Sequence, residues 1–223
     1  MKLFAVLTSA VLFSASFVGA EEIAVATADS AKVCDAKCAS TCSGGCPIEA
    51  AMAKLPKMTY QVGKESTCCA QSAAKLAKDH DAPIKFVVAD KTYETKNVAM
   101  VALADATEAY VKGFATPKTC SVSGKTTVAG KELCCDVMAG MRAKVAKEAM
   151  AKVNMTYMVG EKECHCPTEA STLAKTSGAE KYFVVGKEKT CCNTTARITL
   201  AHAKYKAAVE ALAKADASAA DQS

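Results

Sequence analysis

Tryptophan is absent from this 223-residue chain, and aromatic residues make up only 5% of it. A core built from it must therefore rely on Ala, Val, Leu and Met rather than on large rings. Beyond the N-terminus, no apolar run approaches the roughly 20 residues of a membrane-spanning helix. The usual catalytic signatures are missing as well: no C-x-x-C dithiol, no nucleotide-binding glycine loop, no serine nucleophile elbow and no H-E-x-x-H helix. The formal charge of +5 is interspersed with acids and forms no basic stripe, so nucleic-acid binding gains no support.

What the chain has in quantity is cysteine, 13 in all. Its first residues, "MKLFAVLTSAVLFSASFVGAEE", combine the basic Lys2, an apolar stretch and the small-residue end Val18-Gly19-Ala20. That pattern predicts a secretory signal peptide over 1–20, cleaved after Ala20, and a secreted or periplasmic protein with no membrane span after cleavage. In such a compartment many cysteines ordinarily form a disulfide framework. An odd number leaves one thiol over, available for a bond to a second copy or to another exported protein. The clustering also argues against simple staples. Cys68-Cys69, Cys134-Cys135 and Cys191-Cys192 are adjacent, and Cys164-His165-Cys166 nearly so. Neighbouring Cα atoms lie about 3.8 Å apart, whereas a relaxed disulfide wants roughly 4.4–6.8 Å. An adjacent pair is poorly placed to bond to itself. Each sulfur needs a distant partner, a metal or a reason to stay free.

The cysteine pairs belong to a repeat. "MTYQVGKESTCC" from Met58, "KFVVADKTYET" from Lys85, "TTVAGKELCC" from Thr126, "MTYMVGEKECHC" from Met155 and "YFVVGKEKTCC" from Tyr182 align on Val62, Val88, Val128, Val159 and Val185. Each reads as a strand, a tight turn, a second short strand and an Ala/Leu/Lys helix. Gly63-Lys64 and Gly186-Lys187 suit two-residue hairpin turns with glycine first. Ala73, Leu76 and Ala77 share one face of the first helix; Ile198, Ala201, Tyr205, Val209 and Leu212 share one face of the last. Subtraction of the valine numbers gives spacings of 26, 40, 31 and 26. The expected fold is α+β: five β-hairpin-plus-helix units in two paired lobes, with the third unit between them. The expected boundaries are a cysteine-rich leader over 21–54, units one and two over 55–117, unit three over 118–152, units four and five over 153–214, and a flexible tail over 215–223. The second unit has Glu94 and Thr95 where the others carry cysteine, so thiols are not a requirement of the repeat.

Three groups of soft ligands follow. Cys34, Cys38, Cys42 and Cys46 recur every four residues, the step that keeps side chains on one helix face. Such a stripe suits a soft metal ion, copper or zinc, with disulfides and free thiols as the alternatives. Cys68, Cys69, Cys134, Cys135, Cys191 and Cys192 fall where strand gives way to helix, and the positive potential there favours thiolate. Cys164, His165 and Cys166 add an imidazole to the sulfur set. His80 and His202 read as ordinary surface or helix residues.

The pattern Y-x-V-G-K-x-x-T-C-C followed by a helix resembles the hairpin of YHS/TRASH-type heavy-metal modules. Cys46-Pro47 and Cys166-Pro167 resemble their upstream Cys-Pro. The resemblance covers the hairpin units and implies metal binding, although Ser72, Ala73 and Thr195 stand where those modules usually carry a further cysteine. A complete cage within one unit would then need ligands from Cys46, Cys166, Cys120 or a neighbouring unit. Together these features lead us to expect an exported soluble protein that binds copper, zinc or mercury ions for sequestration or delivery rather than for catalysis. A disulfide-stapled interaction protein and a thiol–disulfide redox protein are the alternatives.

Overall fold

A computed structural model describes residues 47–220. The expected signal peptide and the leader cysteines Cys34, Cys38, Cys42 and Cys46 lie outside the described residues. The described chain is α+β, as expected. After the short α1 (Pro47–Met52), unit one comprises β1 (Met58–Val62), β2 (Glu65–Thr67) and α2 (Ala70–His80). Unit two comprises β3 (Ile84–Val88), β4 (Lys91–Tyr93) and α3 (Lys96–Phe114). The third unit gains an extra strand: β5 (Lys118–Thr119), then β6 (Thr126–Val128), β7 (Lys131–Leu133) and α4 (Asp136–Ala151). Units four and five are β8 (Met155–Val159), β9 (Lys162–Cys164) and α5 (Pro167–Ser177), then β10 (Lys181–Val185), β11 (Glu188–Thr190) and α6 (Asn193–Ala220).

The strands assemble as the paired spacings imply. Units one and two share a four-stranded sheet of order β2-β1-β3-β4, and units four and five one of order β11-β10-β8-β9; the third unit forms its own sheet, β5-β6-β7. In both larger sheets the first strands of the two hairpins pair antiparallel at the centre. Tyr60 faces Phe86 in one sheet and Tyr157 faces Phe183 in the other. Their rings meet edge to face at 5.7 and 5.6 Å between centroids, an arrangement that adds about 0.5–1.5 kcal/mol to burial alone.

The five aligned valines are equivalent. Each ends the first strand of its hairpin and each is buried, at 5% exposure or less. Two turn chemistries follow them. Gly63, Gly160 and Gly186 take φ near +60° at the first turn position, which fits a II′ turn. Ala89-Asp90 and Ala129-Gly130 have both residues at positive φ, the I′ geometry, which strains an alanine.

Alanine lets the helices pack closely. The longest, α6, lies against both α3 and α4. Tyr205 of α6 is 1% exposed and packs edge to face on Tyr110 and Phe114 of α3. Leu55, Val111 and Ala201 complete that cluster, with Met52 from α1 and Met150 from α4 against it. Charged ties flank it. Arg197 of α6 holds Glu108 through two hydrogen bonds of 2.8 Å and Asp105 through one of 2.6 Å. Helix α6 also runs into the segment expected to be a tail, and Asp216 accepts hydrogen bonds from Lys131 and Arg142 of unit three.

Candidate functional site

All five units build the strand-to-helix junction in one register. The residue capping each helix stands seven positions after the buried valine: Cys69 after Val62, Thr95 after Val88, Cys135 after Val128, Cys166 after Val159 and Cys192 after Val185. Four positions further on is an alanine: Ala73, Ala99, Ala139, Ala170 and Ala196, each exposed by 1% or less. In every unit the alanine N–H donates to the capping residue's carbonyl, at 3.0–3.2 Å. The alanine permits the first turn to sit directly on the hairpin, where a larger side chain would overpack. This recurrent alanine was a second repeat signal, hidden in sequence by the chain's general richness in alanine.

That register separates three neighbouring positions with different surroundings. The last strand residue (Thr67, Tyr93, Leu133, Cys164 or Thr190) is at least half-buried. The next residue (Cys68, Glu94, Cys134, His165 or Cys191) is exposed. The third is the helix cap. Thus Cys164, His165 and Cys166 are not three equivalent ligands. Cys164 is 2% exposed and packs among Tyr157, Val159, Ala170, Phe183 and Ala196. His165 and Cys166 occupy the places that the vicinal cysteines hold elsewhere. In units one and five the strand-end position carries threonine, whose Oγ1 accepts the N–H of Cys69 or Cys192 at 3.2 Å.

The capping thiols of units one, four and five are tuned by the helix start. The Ser72 amide, then its hydroxyl, then the Gln71 amide hold the Cys69 thiol below its ordinary pKa. The Thr195 hydroxyl leads at Cys192, followed by the Thr195 amide. At Cys166 the Glu169 and Thr168 amides have the same effect. Neither Cys69 nor Cys166 forms a full side-chain cap hydrogen bond; the amide dipoles approach the sulfur more loosely and still favour thiolate. Cys120, expected only as a ligand that a cage would borrow, is a further exposed thiol of lowered pKa, with the Ser123 hydroxyl as the main cause. Its C-S-V-S spacing was the available signal. Strand pairing puts Thr119, Thr126 and Leu133 in one row, so Cys120 and Cys134 leave the same end of the sheet about two strand spacings, roughly 10 Å, apart.

Eight of the nine described cysteines are exposed, and none is joined to another in a disulfide. Among the described residues no group of three or more Cys, His, Asp and Glu side chains is gathered tightly enough to hold a metal ion. Among the described residues the structure therefore brings Cys68, Cys69, Cys134, Cys135, His165, Cys166, Cys191 and Cys192 to equivalent junctions without uniting those of different units in one cage. A groove of about 490 Å³ among α3, α4 and α6 contains no cysteine, and its Arg197 is occupied by Glu108 and Asp105. No helix among the described residues is long and apolar enough to cross a membrane. No protein-family model, curated protein or solved structure matches the chain.

Proposed function

We propose that this is an exported protein that binds soft metal ions, copper or zinc, through thiolates presented at its repeated junctions, for sequestration or delivery. The observation that carries the reading is internal to the repeat. Unit two forms the same hairpin, helix start and buried alanine with Glu94-Thr95 in place of a cysteine pair. Cysteine is thus unnecessary for the junction. As a helix cap it is also inferior to Ser, Thr, Asp or Asn, yet it fills four of the five caps. Exposure and adjacency, with the lowered pKa at Cys69, Cys166 and Cys192, are useful to a metal ligand and do nothing for a core.

Open junctions with two ligands each suit ions that must be passed on. An ion there completes its shell with a ligand from another copy or from a partner's thiol. Copper(I) accepts such thiolate-rich sites readily, whereas structural zinc sites close around four ligands. The test is native mass spectrometry of protein isolated from its own compartment, before and after chelation and thiol alkylation. Bound metal, with most cysteines alkylated once it is stripped, is the expected result. A metal-free chain with nearly every cysteine in a disulfide would establish the staple alternative instead.

A further inference from the structure

The third unit differs from the others at the residue facing its capping thiol. Three positions beyond the cap stand Ser72, Val98, Met138, Glu169 and Thr195 in units one to five. This is the N3 position, whose side chain reaches back to the cap in a capping box. In units one and five the Ser72 and Thr195 hydroxyls stand at this position and help to hold the Cys69 and Cys192 thiols below their ordinary pKa. In unit three the same place holds a thioether. Met138 is 50% exposed, and Met141, one step further along the same helix stripe, is 61% exposed. Cys134 and Cys135 beside them are exposed too. Val98 and Val101 at the same positions of the thiol-free second unit are open as well, at 55% and 43%, so what distinguishes unit three is the sulfur and not the exposure. The other thiol-bearing units carry Ser72 and Lys75, Glu169 and Thr172, and Thr195 and Ile198 there, so of the five units only the third sets thioethers beside its thiols.

We infer that Cys134, Cys135 and Met138 form a mixed thiolate–thioether site selective for copper(I), with Met141 as a second thioether within the same stripe. The inference rests on the soft-metal reading above and adds which ion this unit takes. Thioether sulfur is a ligand for soft copper(I), whereas zinc is held by thiolate, imidazole and carboxylate. Hydroxyl-facing junctions at Cys69 and Cys192 lack that discrimination. Loading is a ligand exchange without electron transfer: one copper(I) replaces the protons of the two thiols, which pass to solvent.

The test uses the full chain, reduced and anaerobic, with copper(I), the redox-inert silver(I) and zinc(II) as probes. Met138→Leu keeps the shape of an exposed side chain and removes only the sulfur. It should weaken one copper(I) equivalent by about ten-fold or more, the scale on which groups that tune metal ligands act, and leave zinc binding unchanged. With methionine methyl groups labelled in carbon-13, silver(I) should move the resonance that Met138→Leu deletes. If that resonance stays still and Met138→Leu binds copper(I) like the parent, while Cys134→Ser/Cys135→Ser loses one equivalent, the thioether site is overturned and the thiol reading stands. If the parent chain binds none of the three ions, both are overturned.

Discussion

Replacing Cys191 and Cys192 together by serine separates a ligand pair from a structural one. The hairpin beneath them does not depend on their sulfur. It is held by the pairing of Phe183 with Thr190, Val184 with Lys189 and Val185 with Glu188, and by Ala196 packed at 0% exposure. The tie from Thr190 Oγ1 uses the backbone N–H of residue 192, which serine retains. Serine is moreover a better helix cap than cysteine, so position 192 should gain up to about 1 kcal/mol. Exposed position 191 should change stability by no more than about 0.5 kcal/mol. For a chain of this length, 1 kcal/mol moves the melting temperature by about 2–4 °C. The metal-free double variant should therefore melt within a few degrees of the parent, or slightly above it, while its bound copper or zinc falls.

A staple would behave differently. Loss of one disulfide costs about 2–5 kcal/mol, a fall of roughly 4–20 °C on the same scale. Thermal unfolding of stripped protein and elemental analysis of loaded protein read the two quantities independently. A fall of about 2 kcal/mol or more with unchanged metal content would refute the reasoning.

Four further outcomes follow from the same structure. On brief alkylation at near-neutral pH, Cys69, Cys120, Cys166 and Cys192 should label ahead of the same thiols in unfolded chain, because their folded pKa is depressed, and buried Cys164 should label only after unfolding. The sign also fixes a pH effect. These thiolates stabilise the fold fully above the ordinary thiol value of 9.0, and that contribution fades as pH falls through the lower folded value. Ala89→Gly should stabilise by about 1 kcal/mol, since alanine is held at φ 47°; a loss of stability in urea melts would contradict the I′ turn. At Asp216, burial pushes the carboxyl up but Lys131 and Arg142 outweigh it and hold the group below 3.8, so its contribution is complete above that pH and lost as pH falls through the folded value. Asp216→Asn should cost about 1 kcal/mol at neutral pH and flatten the acid limb of the stability curve. Tyr205→Ala should cost about 3–5 kcal/mol by emptying the cluster shared by α3 and α6, measured by chemical denaturation; a cost under 1 kcal/mol would show that the helices do not depend on it.

The repeat was legible because its marks are local and fixed in spacing: a buried valine, a two-residue turn and a pair of positions before a helix. Even the unit without cysteine could be placed, since Ala89-Asp90 stands where the others turn. The three different environments at Cys164, His165 and Cys166 were not legible. Adjacent letters do not reveal which residue ends a strand facing the core and which begins a helix. Long-range ties were equally hidden. Asp216 looks like part of a polar tail until it is seen against Arg142, 74 residues away in sequence, and α6 continues because that pair secures its last turns.

The junction thus divides its work among neighbouring residues. The strand-end side chain turns inward and the alanine four past the cap is buried in every unit, so the alanine tolerates little change. The exposed residue and the cap face solvent and vary between units at small cost: Cys-Cys, Glu-Thr and His-Cys all occur on one backbone. In units one, four and five the residue at N3 adds its amide, and in units one and five its hydroxyl, to the surroundings of the capping thiol. Binding capacity should accordingly follow the number of thiol-bearing junctions rather than the number of units. Converting Glu94-Thr95 to Cys-Cys should add capacity to unit two without disturbing the buried Val88 and Ala99 on either side of the junction. Converting Val98 to Met as well should shift the added capacity toward copper(I), because it recreates the ligand set of unit three on a junction that starts with none.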